Sequence, residues 1–142
     1  MTDTVIVLQK LATLREHLAR ARRRRPPSAE ALRADVDLQD ALALSLLVAI
    51  QESADIAFHI AADEGWGVPS SYAEGFEMLA RHGVIEGGLA KDLASASALR
   101  NRIAHGYASV DVERLWTEIP SGVTALERYA EAVARFVPAP ES

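Results

Sequence analysis

The sequence predicts an all-α fold, an up-and-down bundle of four main helices plus a short one. Residues 1–136 read as a single domain and 137–142 as a flexible tail. Three observations point there. Of the 142 residues, 49% are hydrophobic but only 6% aromatic, and alanine and leucine dominate the apolar count, which favours helix over sheet. Apolar residues recur at helical spacing along most of the chain. There is no strand-like alternation, no internal repeat and no glycine-rich phosphate loop.

The first helix is expected to be capped by Thr2 or Thr4 and to carry Val5, Leu8, Leu11, Leu14 and Leu18 on one face. It runs into Arg20 and the block Arg22-Arg23-Arg24-Arg25, then stops at Pro26-Pro27. Ser28 opens a new segment that leads, across a short break, into a long helix from about Asp37 to Asp63. Between Ala41 and Ala62 that helix is apolar nearly all round, so it is expected to be buried on several sides. Glu64 to Pro69 is a loop. Ser71-Tyr72-Ala73-Glu74 has the form of a capping box, opening a short helix that Gly83 closes. A further helix spans Ala90 to His105, after the Gly87-Gly88 pair. Asp111 caps the last one, and Pro120 inside it predicts a kink or break.

Composition excludes several classes of function. With no cysteine there is no disulfide, thiol nucleophile, iron–sulfur cluster or thiolate zinc site. Fifteen basic against twenty acidic side chains give a net charge of −5, so nucleic-acid binding would need a local patch. No segment approaches the ~18 consecutive apolar residues of a membrane span. Val5 to Leu8 is too short for a signal core and lacks a basic flank. The expectation is a cytoplasmic protein without a membrane partner.

Chemistry concentrates in Leu99-Arg100-Asn101-Arg102-Ile103-Ala104-His105-Gly106-Tyr107. At ~100° per residue, Asn101 and His105 share a side, while Arg100 and His105 lie roughly 140° apart if the helix continues. Arginine and histidine at a helix C-terminus offset the dipole, which is the plain reading of Arg102. Two arginines, an asparagine, a histidine and a tyrosine together exceed what one helix end needs.

The run Arg100-x4-His105-x-Tyr107 resembles the R-x4-H-x-Y signature of HepT-like toxins, helical ribonucleases of the HEPN superfamily. Asp55-Ile56-Ala57-Phe58-His59 is similar to the family as well. So are Pro69 to Phe76, Leu79 and the Gly83-Val84-Ile85 turn, with order and spacing held from Leu38 to Phe136. The resemblance implies the toxin of a type VII toxin–antitoxin system. Such a protein is a metal-independent endoribonuclease, cutting tRNA or mRNA at a composite site of a homodimer. It implies that Tyr107 accepts AMP from an MntA-like nucleotidyltransferase antitoxin, with a larger assembly with that antitoxin left open.

The residue types suit that reaction. A histidine titrating near neutrality moves the 2′-hydroxyl and leaving-group protons, a role that falls to His105. An arginine that never deprotonates binds the phosphate, a role that falls to Arg100. Asn101 is a candidate orienting partner. The alternative is a non-catalytic helical binding subunit of a nucleotidyltransferase complex.

Ser45, Glu52 and His59 form a polar stripe on the long helix, with Asp55 four residues before His59. Two readings stand: a second wall of the site, with Asp55 or Glu52 holding Arg100 or setting a histidine tautomer, or a modest Asp55–His59 pair. His59 itself reads as structural. Asp55, His59 and His105 have no H-E-x-x-H-type spacing, so neither a metal nor another cofactor is expected. Arg22, Arg23 and Arg24, with Arg102, are candidate RNA contacts, although arginines ending a helix are more often solvated. His17 and His82 read as surface residues, and Trp66 and Trp116 as core or dimer packing.

Overall fold

In a computed structural model, the described residues are 2–105 and 111–138, the side chains at 104 and 105 excepted. They form six helices: α1 (Thr4–Arg24), α2 (Ala29–Arg33), α3 (Val36–Asp63), α4 (Tyr72–Arg81), α5 (Gly87–His105) and α6 (Val112–Phe136). The all-α class holds. The four long helices are α1, α3, α5 and α6, but there are two short ones rather than one.

The extra element is α2. Ser28 caps it, its hydroxyl accepting from the Ala31 N–H at 3.1 Å. Asp35 then leaves helical geometry and caps α3 through the Leu38 N–H at 3.0 Å. The Gln39 amide donates back to the carbonyls of Leu32 and Arg33, at 2.9 and 3.2 Å, closing the end of α2. The break thus sits at Ala34-Asp35, one residue before α3 begins.

Neither threonine caps α1. Asp3 does, its carboxylate accepting from the Ile6 N–H, because the Thr2 hydroxyl is committed to Glu64 at 2.8 Å. The Ser71 cap on α4 forms as expected, at 3.1 Å to the Glu74 N–H. Gly83, at φ +78°, ends that helix in a left-handed turn that returns the Val84 N–H to the Leu79 carbonyl at 2.9 Å. Helix α5 begins at Gly87, three residues earlier than the spacing indicated.

Pro120 does not break α6, which runs unbroken from Val112 to Phe136. A proline at 120 removes the donor to the carbonyl four residues back, that of Trp116. Arg25 supplies the missing bond. Its Nε donates to the Trp116 carbonyl at 3.1 Å while its guanidinium lies 3.9 Å from the centre of the Trp116 ring. The Trp116 indole donates in turn to the Pro26 carbonyl at 2.9 Å. The end of the arginine block therefore stabilises the proline turn.

Helix α3 is long and apolar enough to cross a membrane by length and composition, yet more than half of that stretch is buried inside the protein. Leu42, Leu46, Ile50, Ile56 and Ile60 are all essentially inaccessible. Tyr129 of α6 is fully buried against it, edge-on to Phe76, with its hydroxyl donating to the Ser53 carbonyl at 2.8 Å. Burial pushes the Tyr129 phenol well above its ordinary pKa.

His17 is half-buried rather than a surface residue, and among the described residues its Nδ1 has no hydrogen-bond partner. Burial, then the Arg20 guanidinium, holds its pKa below 6.5. His82 is at the surface, stacked 3.9 Å from Trp66.

Two outcomes follow from this packing. Arg25→Ala is expected to lower the unfolding free energy by about 1–2 kcal/mol, with less than half of that loss in a Pro120→Ala background, where a restored N–H meets Trp116. Urea denaturation of the four proteins measures the coupling. For His17, the unfolded chain takes up a proton at a higher pH than the folded one. Stability therefore falls as pH drops through 6.5. His17→Gln is expected to flatten that fall between pH 7.5 and 5.5.

Candidate active site

The last turns of α5 are oriented by their apolar residues. Leu99 and Ile103 are buried in the core, which turns Arg100 and Arg102 to opposite flanks of the helix and leaves Asn101 exposed. Arg100 faces α4. Its guanidinium lies 5.4 Å from the centre of the Tyr72 ring, and its Nη1 donates to the Asn101 amide oxygen at 3.3 Å. Its Nε is sealed from solvent with no hydrogen-bond partner among the described residues. Tyr72 meets Phe58 of α3 edge-on, with ring centres 5.9 Å apart.

Arg102 faces α6. It donates to Glu118 at 2.6 Å, and the other oxygen of the same carboxylate accepts from Arg114 at 2.8 Å. This bridge rims a cleft of about 530 Å³ between α3, α5 and α6, floored by Leu46, Ile50, Leu99 and Ile119. Position 105 is the last residue of α5. The expectations for the His105 side chain and for Tyr107 lie outside the described residues.

Among the described residues Asp55 pairs with Lys10 and not with Arg100. It lies 3.5 Å from Lys10, which also reaches Glu52 at 3.8 Å. The cause is packing: α1 runs along that side of α3 and brings Lys10 to both carboxylates. No Asp55–His59 pair forms among the described contacts, and His59 lines a shallow depression with Lys10 and Glu52.

The arginine block divides. Arg22 makes a two-pronged pair with Glu127 of α6, Arg20 pairs with Glu16, and Arg25 serves Trp116. Arg23 and Arg24 have no ion-pair partner among the described residues. Among those residues no three histidine or carboxylate side chains converge as a metal site would require.

Tyr72 is the site residue that sequence reasoning missed. It stands directly after the cap of α4, where it reads as part of a helix start, and no local spacing ties position 72 to position 100. Together these groups offer a permanent cation, oriented by an aromatic face and an amide, at the end of a helix. That arrangement suits a phosphate or another oxyanion.

The chain is similar to known proteins in sequence and in fold. A sequence model of the family described as ribonuclease HepT-like matches residues 14–133. The mRNA nuclease HepT of Shewanella oneidensis is 24% identical over 128 residues, covering 90% of this chain and 96% of the relative. A crystal structure of a toxin–antitoxin complex with AMP-PNP contains a chain with TM-score 0.86 and 23% identity, covering 93% of this chain and 99% of that one. The tri-AMPylated Shewanella oneidensis HEPN toxin, in complex with an MNT antitoxin, has TM-score 0.84 and 24% identity, covering 95% and 99%. At such identities the two structures bear on the fold alone.

The Arg102–Glu118–Arg114 bridge is about a third exposed at Arg102 and Glu118. Glu118→Gln is therefore expected to change the unfolding free energy by less than about 1 kcal/mol in urea denaturation. It is expected to tighten binding of short RNA, measured by fluorescence anisotropy, by freeing two arginines.

Proposed function

This chain belongs to the ribonuclease HepT-like family, and from that premise we propose that it is the RNA-cleaving toxin of a toxin–antitoxin pair. The observation that carries the reading is the intact Arg100-x4-His105-x-Tyr107 run in the sequence, inside a chain matched by the family over residues 14–133. The Shewanella relative is named an mRNA nuclease, which favours RNA as the substrate here, with mRNA or tRNA as the class cut.

The reaction is a phosphoryl transfer that needs no metal. The substrate's own 2′-hydroxyl attacks phosphorus, and the 5′-oxygen of the next nucleotide leaves. His105 moves the protons of these steps, since an imidazole exchanges them near neutral pH. Arg100 binds the non-bridging oxygens and stabilises the extra charge of the transition state. Asn101, in contact with Arg100, steadies its orientation. One such pair per chain is a sparse site. Two copies facing each other across a homodimer supply two, and we place the RNA between them. Arg22, Arg23, Arg24 and Arg102 are the candidate contacts to its backbone, Arg22 and Arg102 after release from Glu127 and Glu118, in an otherwise acidic chain that would work in the cytoplasm.

Regulation follows the same motif. The solved HEPN toxin is tri-AMPylated and in complex with its MNT antitoxin, and we assign Tyr107 as the AMP acceptor here because the resemblance of the R-x4-H-x-Y run implies it. A bulky anionic group near Arg100 would occupy the phosphate site and repel RNA. The partner is accordingly an MntA-like nucleotidyltransferase that must bind the chain to modify it.

Purified protein is expected to cleave total cellular RNA in EDTA. Arg100→Ala and His105→Ala are each expected to lose about 10²- to 10³-fold in rate. The intact mass of each preparation is read alongside, because AMP on Tyr107 would explain silent wild-type protein. An unmodified, folded and inactive wild type would assign the chain instead as a non-catalytic binding subunit of a nucleotidyltransferase.

A further inference from the structure

We propose that Tyr72 is a positioning residue for Arg100, and that Phe58, seated against Gly75, holds the Tyr72 ring in place. Arg100 differs from its neighbours in how it is held. Arg102 and Arg114 share Glu118, Arg22 has Glu127, and Arg33 lies 3.8 Å from Glu113. A carboxylate partner orients a guanidinium but cancels its charge, and it must be displaced before phosphate binds. Arg100 is held by a ring face at 5.4 Å and an amide oxygen at 3.3 Å, neither of which carries a charge. Its Nε is shut away from water, so this end of the guanidinium is fixed by packing. The cation is thus oriented and still available to an anion.

The support behind Tyr72 is equally specific. Its ring meets Phe58 edge-on at 5.9 Å. Phe58 can lie there only because position 75 has no side chain: a Cβ on Gly75 would stand 2.9 Å from Phe58 Cε1 and 3.5 Å from the Ala57 methyl. Gly75 is helical and buried, so its role is the close approach of α4 to α3 rather than an unusual backbone angle. A methyl at 75 has to push Phe58, and Phe58 leans on the ring beneath Arg100.

The activity arm of the test rests on the ribonuclease reading, and the spectroscopic arm does not. The first readout is the NMR shift of the Arg100 Nε–H, assigned by its loss in Arg100→Lys. A ring face should displace it upfield in wild type and in Tyr72→Phe, and Tyr72→Leu should return it to the position of the exposed arginines. The second readout is RNA cleavage. Tyr72→Phe is expected within about 2-fold of wild type, and Tyr72→Leu about 10-fold lower, with the loss mainly in kcat. Circular dichroism verifies folding, and should Tyr72→Leu fail to fold, Gly75→Ala replaces it with the same expected direction in both readouts. An Arg100 signal indifferent to position 72, or Tyr72→Phe as damaging as Tyr72→Leu, overturns the proposal. Unmodified wild type without cleavage overturns the ribonuclease reading, while the Arg100 signal still decides whether Tyr72 holds the guanidinium.

Discussion

A 28-residue helix that is apolar around most of its circumference has to be enclosed, and that requirement on α3 organises the rest of the protein. α1 covers the side bearing Glu52 and Asp55, with Lys10 pairing with both carboxylates. α6 brings Tyr129 against the middle, where the phenol finds the Ser53 carbonyl and so is buried without an unmet donor. α4 approaches closely at Gly75. α5 contributes Leu99 and Ile103 to the core they share. Once those two residues face inward, the azimuths of Arg100 and Arg102 are decided, because side chains on one helix turn together. The placement of the candidate catalytic arginine is therefore a consequence of how α3 is covered. Two apolar residues of α3, Val36 and Leu44, stay 63% and 58% exposed, so the enclosure within one chain is incomplete.

The arginines of this acidic chain do different physical work. Arg25 supplies the hydrogen bond that Pro120 denies to Trp116, allowing one continuous α6. Arg22 and Arg102 are joined to glutamates of α6 and tie α1 and α5 to it, while Arg114 shares Glu118 within α6 itself. Such half-exposed pairs contribute little stability each, but they set where the chains of charge lie. Arg100, like Arg25, is oriented among the described residues by a ring face and an uncharged oxygen, but unlike Arg25 it makes no repair to a neighbouring helix. A site that must receive a phosphate benefits from that arrangement, because no internal anion has to leave first.

Local features of the fold were readable along the chain and tertiary ones were not. Ser28, Ser71 and Asp111 cap their helices because the bond runs to an N–H two or three residues on, within the same short stretch. The Gly83 turn is local in the same sense. The continuity of α6 through Pro120 is not legible along the chain, because the group that supplies the lost bond, Arg25, lies 91 residues from Trp116. The cap of α1 shifted to Asp3 because Thr2 found Glu64, 62 residues away. Asp55 met Lys10 on a neighbouring helix rather than an arginine on α5. At the site, Arg100 and Asn101 stood out as an excess of polar groups at one helix end. Tyr72 did not, since an aromatic after a cap is ordinary until the fold sets it under a guanidinium.

The central claim is that RNA is cut by its own 2′-hydroxyl, with an arginine and a histidine replacing a metal. The ends of the cleaved RNA report this directly, because they record which oxygen attacked phosphorus. The account requires a 2′,3′-cyclic phosphate or 3′-phosphate on one fragment and a 5′-hydroxyl on the other. Fragments bearing 3′-hydroxyl and 5′-phosphate ends would mean that water attacked, with the sugar oxygen on the other side leaving, and would contradict the mechanism assigned to Arg100 and His105.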